Sequence, residues 1–201
     1  MRLDAKQRRQ QEIAEAAYAV LEKKGYEGAS MLAVAKAARA SNETLYNWYG
    51  DKQGLFRALV TANAAMVKDL LEQRTAAHDD PMDTLRALGP KLLELLTGAR
   101  AVALNRAAAA DPSGELGMAI SQAGRETIAP LIGKVLDAAR GDGRLAFAST
   151  AEAVDLYLGL LVGDLQIRCV VGREAAPSAP ACRKRADTAL EYLCRLMGKT
   201  R

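Results

Sequence analysis

Between Ser30 and Lys52 the chain gathers hydroxyls (Ser30, Ser41, Thr44, Tyr46), amides (Asn42, Asn47), a carboxylate (Glu43) and an ammonium (Lys52) within a single short stretch. Hydroxyls, amides and a cation are the groups that bond phosphate oxygens and base edges, and a carboxylate can accept from the amino group of cytosine. The alternative for such a stretch is an Ala-rich helical hairpin serving only as core. A core, however, has no reason to leave Thr44, Tyr46, Asn47 and Lys52 on one polar surface.

Two short helices must position these groups. Ser30 can cap the first, and Met31, Val34, Ala35 and Ala38 then recur at the spacing that lines one helical face with apolar side chains. Arg39, Ala40 and Ser41 interrupt the pattern. Ser41 or Asn42 supplies a second cap, and Leu45 and Trp48 can anchor a helix whose remaining side chains point outward.

Gly25-Tyr26, Ser30-Met31, Val34-Ala35, Ala38, Ser41, Thr44-Leu45-Tyr46, Trp48-Tyr49, Lys52 and Leu55-Phe56 together resemble the N-terminal signature of the TetR family of regulators. The resemblance covers about the first quarter of the chain. It implies an all-α protein with a three-helix helix-turn-helix DNA-binding domain (1–52), joined by a long helix to a helical effector-binding and dimerisation domain (53–201). It also implies that Lys52 contacts a DNA phosphate. Two positions depart from the family pattern: Arg39 stands where a turn glycine is usual, and Glu43 where a glycine or small residue is frequent.

Composition agrees with an all-helical chain. Of 201 residues, 50% are hydrophobic but only 4% aromatic, and alanine and leucine dominate. Residues 1–60 carry ten Lys/Arg against seven Asp/Glu, residues 61–179 twelve against fifteen, and residues 180–201 six against two. A basic head on a non-basic body suits nucleic-acid binding. The cluster Arg183, Lys184, Arg185 reads as a solvated helix face. No stretch reaches the roughly 18 to 20 apolar residues of a membrane span, and MRLDAKQRRQ lacks an apolar signal core, so the expectation is a soluble, cytoplasmic protein. Arg2, Lys6, Arg8 and Arg9 could form an arm along the phosphate backbone or remain a frayed, solubilising end.

Further along, a stripe from Ile13 to Leu21 marks a first helix ending at Gly25, and a long helix starts at Asp51 and runs to about Ala77. Asp80 and Pro81 read as cap and first residue of the next helix, which Gly89-Pro90 should interrupt. A helix of about 113–140 should kink at Pro130, and one from Ser149 or Thr150 to Val171 is apolar nearly all round. On that helix Leu156, Leu160 and Ile167 are assigned to the core. Leu158, Gly159, Val162, Gly163, Leu165 and Cys169, with Ala189, Leu193 and Leu196 of the last helix, are the candidate face for a second subunit. In the family resembled, the last two helices form such a dimer interface.

An effector pocket is expected among the helices from Ala99 to Val171. Tyr157 and Asp164 fall on the core-facing side and need partners, for which Arg106, Gln122 and Arg125 are candidates; an internal salt bridge would serve as well as a ligand. The resemblance names no ligand. Cys169, Cys182 and Cys194 have neither the spacing of a metal site nor an even number, and fit buried hydrophobes or, alternatively, a thiol sensor. No cofactor or metal is implied. Three function classes follow: a homodimeric repressor released from a palindromic double-stranded operator by a small molecule, an activator or thiol-responsive regulator, and a helical-bundle enzyme. The last is disfavoured by a single loop histidine (His78) and the lack of nucleophile or phosphate-loop motifs.

Overall fold

The computed structural model describes the backbone of residues 2–198 and the side chains of residues 5–198. Every regular element among them is helical, and the chain divides into two compact units. The first comprises residues up to Asn63 together with Arg100–Gly124; the second comprises Ala64–Ala99 and the chain from Arg125.

The first unit contains α1 (Arg2–Gly28), α2 (Met31–Ala37), α3 (Asn42–Tyr49), the start of α4 (Lys52–Ala76), most of α6 (Ala99–Ala109) and α7 (Glu115–Ile120). α1 is broken at Gly25, whose φ of 67° only glycine adopts cheaply. The apolar stripes converge as their spacing requires: Ile13, Val34, Leu45, Phe56 and Leu116 are all fully buried in one core. Each large side chain so buried contributes about 1.5–3 kcal/mol. Arg100 joins the unit by pairing with Glu15 and lying 5.5 Å from the ring centroid of Tyr18.

In the second unit, α5 (Pro81–Thr97) packs against α8 (Glu126–Gly141), α9 (Thr150–Val162), α10 (Leu165–Val170) and α11 (Ala179–Met197). Asp80 caps α5 by accepting from Met82 N at 2.8 Å and Asp83 N at 3.0 Å. α5 runs on through Gly89-Pro90, contrary to the interruption expected there. Burial of Leu85, Leu88, Leu92 and Leu93 along one continuous stripe outweighs the hydrogen bond that Pro90 removes. Gly89 has a separate reason to be glycine: a Cβ there would lie 2.7 Å from the Ala186 Cβ of α11.

The helix expected over about 113–140 is divided into α7, a π turn and α8. α8 passes through Pro130 unbroken, and the irregularity lies upstream as a π turn, Ser121–Arg125, between α7 and α8. We attribute this to Pro130, whose ring crowds the carbonyl four residues back and whose missing N–H frees it, so that the wider turn just before relieves both.

The apolar helix expected to reach Val171 breaks at Gly163 (φ 52°, ψ −129°), giving α9 and α10. The break rotates the register, so the face assignments made across it fail. Ala153, Val154, Tyr157 and Leu161 are the buried side of α9, Leu156 and Leu160 are half-buried, and Ile167 is 56% exposed. The break also strands two carbonyls at the end of α9. Arg185 of α11 satisfies them, donating from Nε to Leu161 O at 2.6 Å and from a terminal nitrogen to Val162 O at 2.9 Å. Of the basic cluster read as solvated, Arg183 and Lys184 are exposed while Arg185 is built into the unit.

Candidate nucleic-acid interface

Both caps read in the sequence are formed. Ser30 Oγ accepts from Ala33 N at 3.1 Å, and Ser41 Oγ accepts from Thr44 N at 3.0 Å while sharing a 2.7 Å hydrogen bond with the Thr44 hydroxyl. Ser41, not Asn42, is therefore the cap of α3. Leu45 is fully buried beneath α3, which leaves Asn42, Glu43, Tyr46 and Asn47 exposed and Thr44 half-buried. Tyr46 is 49% exposed, and α2 adds exposed Leu32 and Lys36, which the sequence reading passed over.

The turn between the helices carries its own support. Arg39 adopts a φ of 51°, a conformation uncommon outside glycine, so the turn has the geometry a glycine would give. The Arg9 guanidinium reaches it from α1, donating to Arg39 O at 2.6 Å while pairing with Glu12. Lys6, one helical turn earlier, lies 5.9 Å from the Trp48 ring. Of the basic residues considered for an arm, Lys6 and Arg9 thus lie against the helix-turn-helix. Arg8 is exposed, and the Arg2 side chain is outside the described residues.

A profile described as bacterial regulatory proteins, tetR family, matches residues 13–59, and one described as the C-terminal domain of AefR-like transcriptional repressors matches residues 83–197. The chain belongs to the TetR family of transcriptional regulators. Solved structures agree over nearly the whole length. A TetR transcriptional regulator from Agrobacterium tumefaciens is 28% identical with a TM-score of 0.73, covering 95% of each chain. A structure assigned to the same family from Mesorhizobium loti is 25% identical with a TM-score of 0.75, covering 96% of this chain and 98% of its own. FadR from Bacillus subtilis, solved with stearoyl-CoA, shares the fold at 16% identity and a TM-score of 0.72, covering 92% and 97%. No curated protein matches the chain.

In this TetR-family regulator Lys52 opens α4, yet its Nζ lies 3.7 Å from the centroid of the Tyr26 ring. Tyr26 is buried, meets Phe56 edge-on at 5.2 Å, and donates from its hydroxyl to Glu115 at 3.4 Å. Burial pushes its phenol up to about 12, with Glu115 and Asp111 acting in the same direction. Asp111 is held below the usual carboxylate range by the Ser113 hydroxyl and the Leu116 and Ser113 backbone N–H groups, with the Lys52 charge assisting.

The five effector-pocket candidates fall in both units. Arg106 and Gln122 belong to the first unit and are exposed. In the second unit Tyr157 is buried and donates to Leu85 O at 3.3 Å, so the α5 backbone is its partner. Asp164 is exposed beside the Gly163 break and pairs with Arg168 at 3.8 Å, and Arg125 pairs with Asp155 at 2.6 Å on the surface. A groove of about 510 Å³ opens between α8 and α9, floored by Ala129, Pro130, Gly133, Ala151 and Val154 and edged by Lys134 and the Arg125–Asp155 pair.

Among the dimer-face candidates, Leu165, Cys169, Ala189 and Leu193 are buried within the second unit itself. Leu158 and Val162 are half-buried, Gly159 and Gly163 exposed, and Leu196 is 64% exposed. Ile167, Val171 and Tyr192 join Leu196 as exposed apolar side chains of α10, its C-cap and α11. Cys182 is buried and Cys194 exposed; burial pushes both thiols up, the reverse of what activates a thiolate. Among the described residues no helix is long and apolar enough to cross a membrane, and no group of side chains is placed to hold a metal.

Proposed function

We propose that this TetR-family regulator is a homodimeric repressor that binds a palindromic operator in double-stranded DNA and is released from it by a small-molecule effector. The observation that carries the DNA half of this reading is α3 itself. A fully buried Leu45 fixes the helix while Asn42, Glu43, Tyr46 and Asn47 stand exposed together, able to donate to and accept from base edges and phosphates. The match of residues 83–197 to the C-terminal domain of AefR-like transcriptional repressors supports repression.

The exposed apolar pairs Ile167 and Val171, and Tyr192 and Leu196, each one helical turn apart, support a second subunit, since exposed apolar surface marks an interaction face. A dimer reads two half-sites only when its reading helices sit about one helical turn apart, roughly 34 to 36 Å, or a multiple. An effector therefore need only favour another separation to release the DNA. Selection of bound sequences from random duplex DNA tests the reading, with an inverted repeat as the expected product. Recovery of no enriched sequence would overturn it.

A further inference from the structure

Lys52 stands at the first residue of α4, directly after the reading helix, where a cation for the phosphate backbone is expected. Its ammonium is nevertheless occupied elsewhere. The Nζ lies 3.7 Å from the Tyr26 ring centroid, close enough for the electrostatic attraction between a cation and an aromatic face. That ring cannot follow the lysine outward, because Tyr26 is 4% exposed and held edge-on by Phe56. Its hydroxyl donates to Glu115, which leaves the ring richer in electrons, and Asp111 is near enough to feel the Lys52 charge. Asp111 lies in the segment that joins α6 to α7, and Glu115 is the first residue of α7.

We propose that Glu115, acting through Tyr26, is a positioning residue that holds Lys52 away from DNA, so that a phosphate gains this cation only by drawing it off the Tyr26 ring. The proposal rests on the DNA-binding reading above. A Lys52–phosphate contact then yields the full release of a counterion but less affinity than a free lysine would give, because the ring contact is lost at the same moment. Glu115 sets how much less.

Two measurements on the full-length protein test this. In nuclear magnetic resonance spectra of the DNA-free protein, the Lys52 ε-methylene should be shifted upfield by the Tyr26 ring current, and saturation with a duplex recovered by selection should return it towards its unshifted position. No upfield shift in the free protein, or one that persists in the saturated complex, would overturn the proposal. In binding titrations, Glu115→Gln should tighten the same duplex about two- to fivefold, the size of a partly exposed cation–aromatic contact, and should have no effect in a Lys52→Ala background. An equal gain in both backgrounds would show the carboxylate acting on DNA at a distance and would overturn the proposal. Absence of any duplex binding would sink the DNA-binding reading and this proposal with it. The free-protein shift, which needs no DNA, separates that outcome from failure of the proposal alone.

Discussion

Arg9 donates from its guanidinium to the main-chain carbonyl of Arg39 at 2.6 Å, so that α1 holds the turn between α2 and α3. The partner is a backbone atom, which makes the contact independent of the side chain at position 39. Replacing that side chain and removing the contact should therefore have opposite effects.

Arg39→Gly should stabilise the protein by about 1 kcal/mol, raising the melting temperature by about 2–4 °C, because it relieves a left-handed non-glycine residue while keeping the carbonyl. Arg9→Ala should cost about 0.5–1.5 kcal/mol. Thermal melts of the two variants check both signs, and a destabilised Arg39→Gly would show that the arginine side chain contributes contacts of its own.

Charge and readout should separate on mutation. Lys52→Ala should weaken all duplexes about uniformly and lower the salt slope by roughly one unit per subunit, because one phosphate contact is lost. Asn47→Ala, on the exposed side of α3, should relax the preference at one base position by about 1 to 3 kcal/mol with little change in slope. Titrations of a selected and a scrambled duplex at several salt concentrations distinguish them. A changed sequence preference in Lys52→Ala with an unchanged slope would contradict the assignment.

Acid should weaken the second unit through Asp80. The Asp83 N–H, followed by the Met82 N–H and Arg144, holds its carboxyl below the usual carboxylate range despite the opposing effect of burial. The folded value lies below the unfolded one, so this stabilisation is fully present above about pH 3.8 and is lost as the pH falls through the folded value. The stability gap between wild type and Asp80→Asn, measured by denaturant unfolding from pH 7 downward, should narrow below that point. A gap independent of pH would show that the cap acts by shape and not by charge.

Gly89→Ala should be destabilising by about 1–3 kcal/mol, since the new Cβ would meet the Ala186 Cβ at 2.7 Å. Ala186→Gly in the same chain should recover much of the loss. Equilibrium unfolding of the two single variants and the double variant gives the coupling, and strictly additive effects would place the strain elsewhere.

What was legible in the sequence was local. Ser30, Ser41 and Asp80 cap the helices their spacing marks, and Ile13, Leu45 and Phe56 lie in the core their periodicity assigns. Those signals depend only on neighbours within a helical turn. The rest needed a distant element or the conformation of a single residue. Pro90 looked like an interruption because the apolar burial that carries α5 through it comes from other helices. Ile167 was assigned to the core because periodicity was carried across Gly163, where one left-handed residue rotates everything after it. Asp164, beside that break, pairs with Arg168 in solvent. Arg9 and Tyr26 gave no sign of their roles, since a contact between residues 30 or 89 positions apart leaves no periodic trace.

Gly163 and Arg185 act as one. The glycine ends α9 and leaves the Leu161 and Val162 carbonyls without helical partners, and the arginine, from another helix, supplies both donors. A lysine could not match that planar fork. A lineage that lost the arginine alone would strand two carbonyls, whereas one that restored a continuous helix would have no further use for it. When descendants and cousins of this chain are aligned, the two positions should therefore be weighed as a single inherited character, gained or lost together, although they lie in different helices.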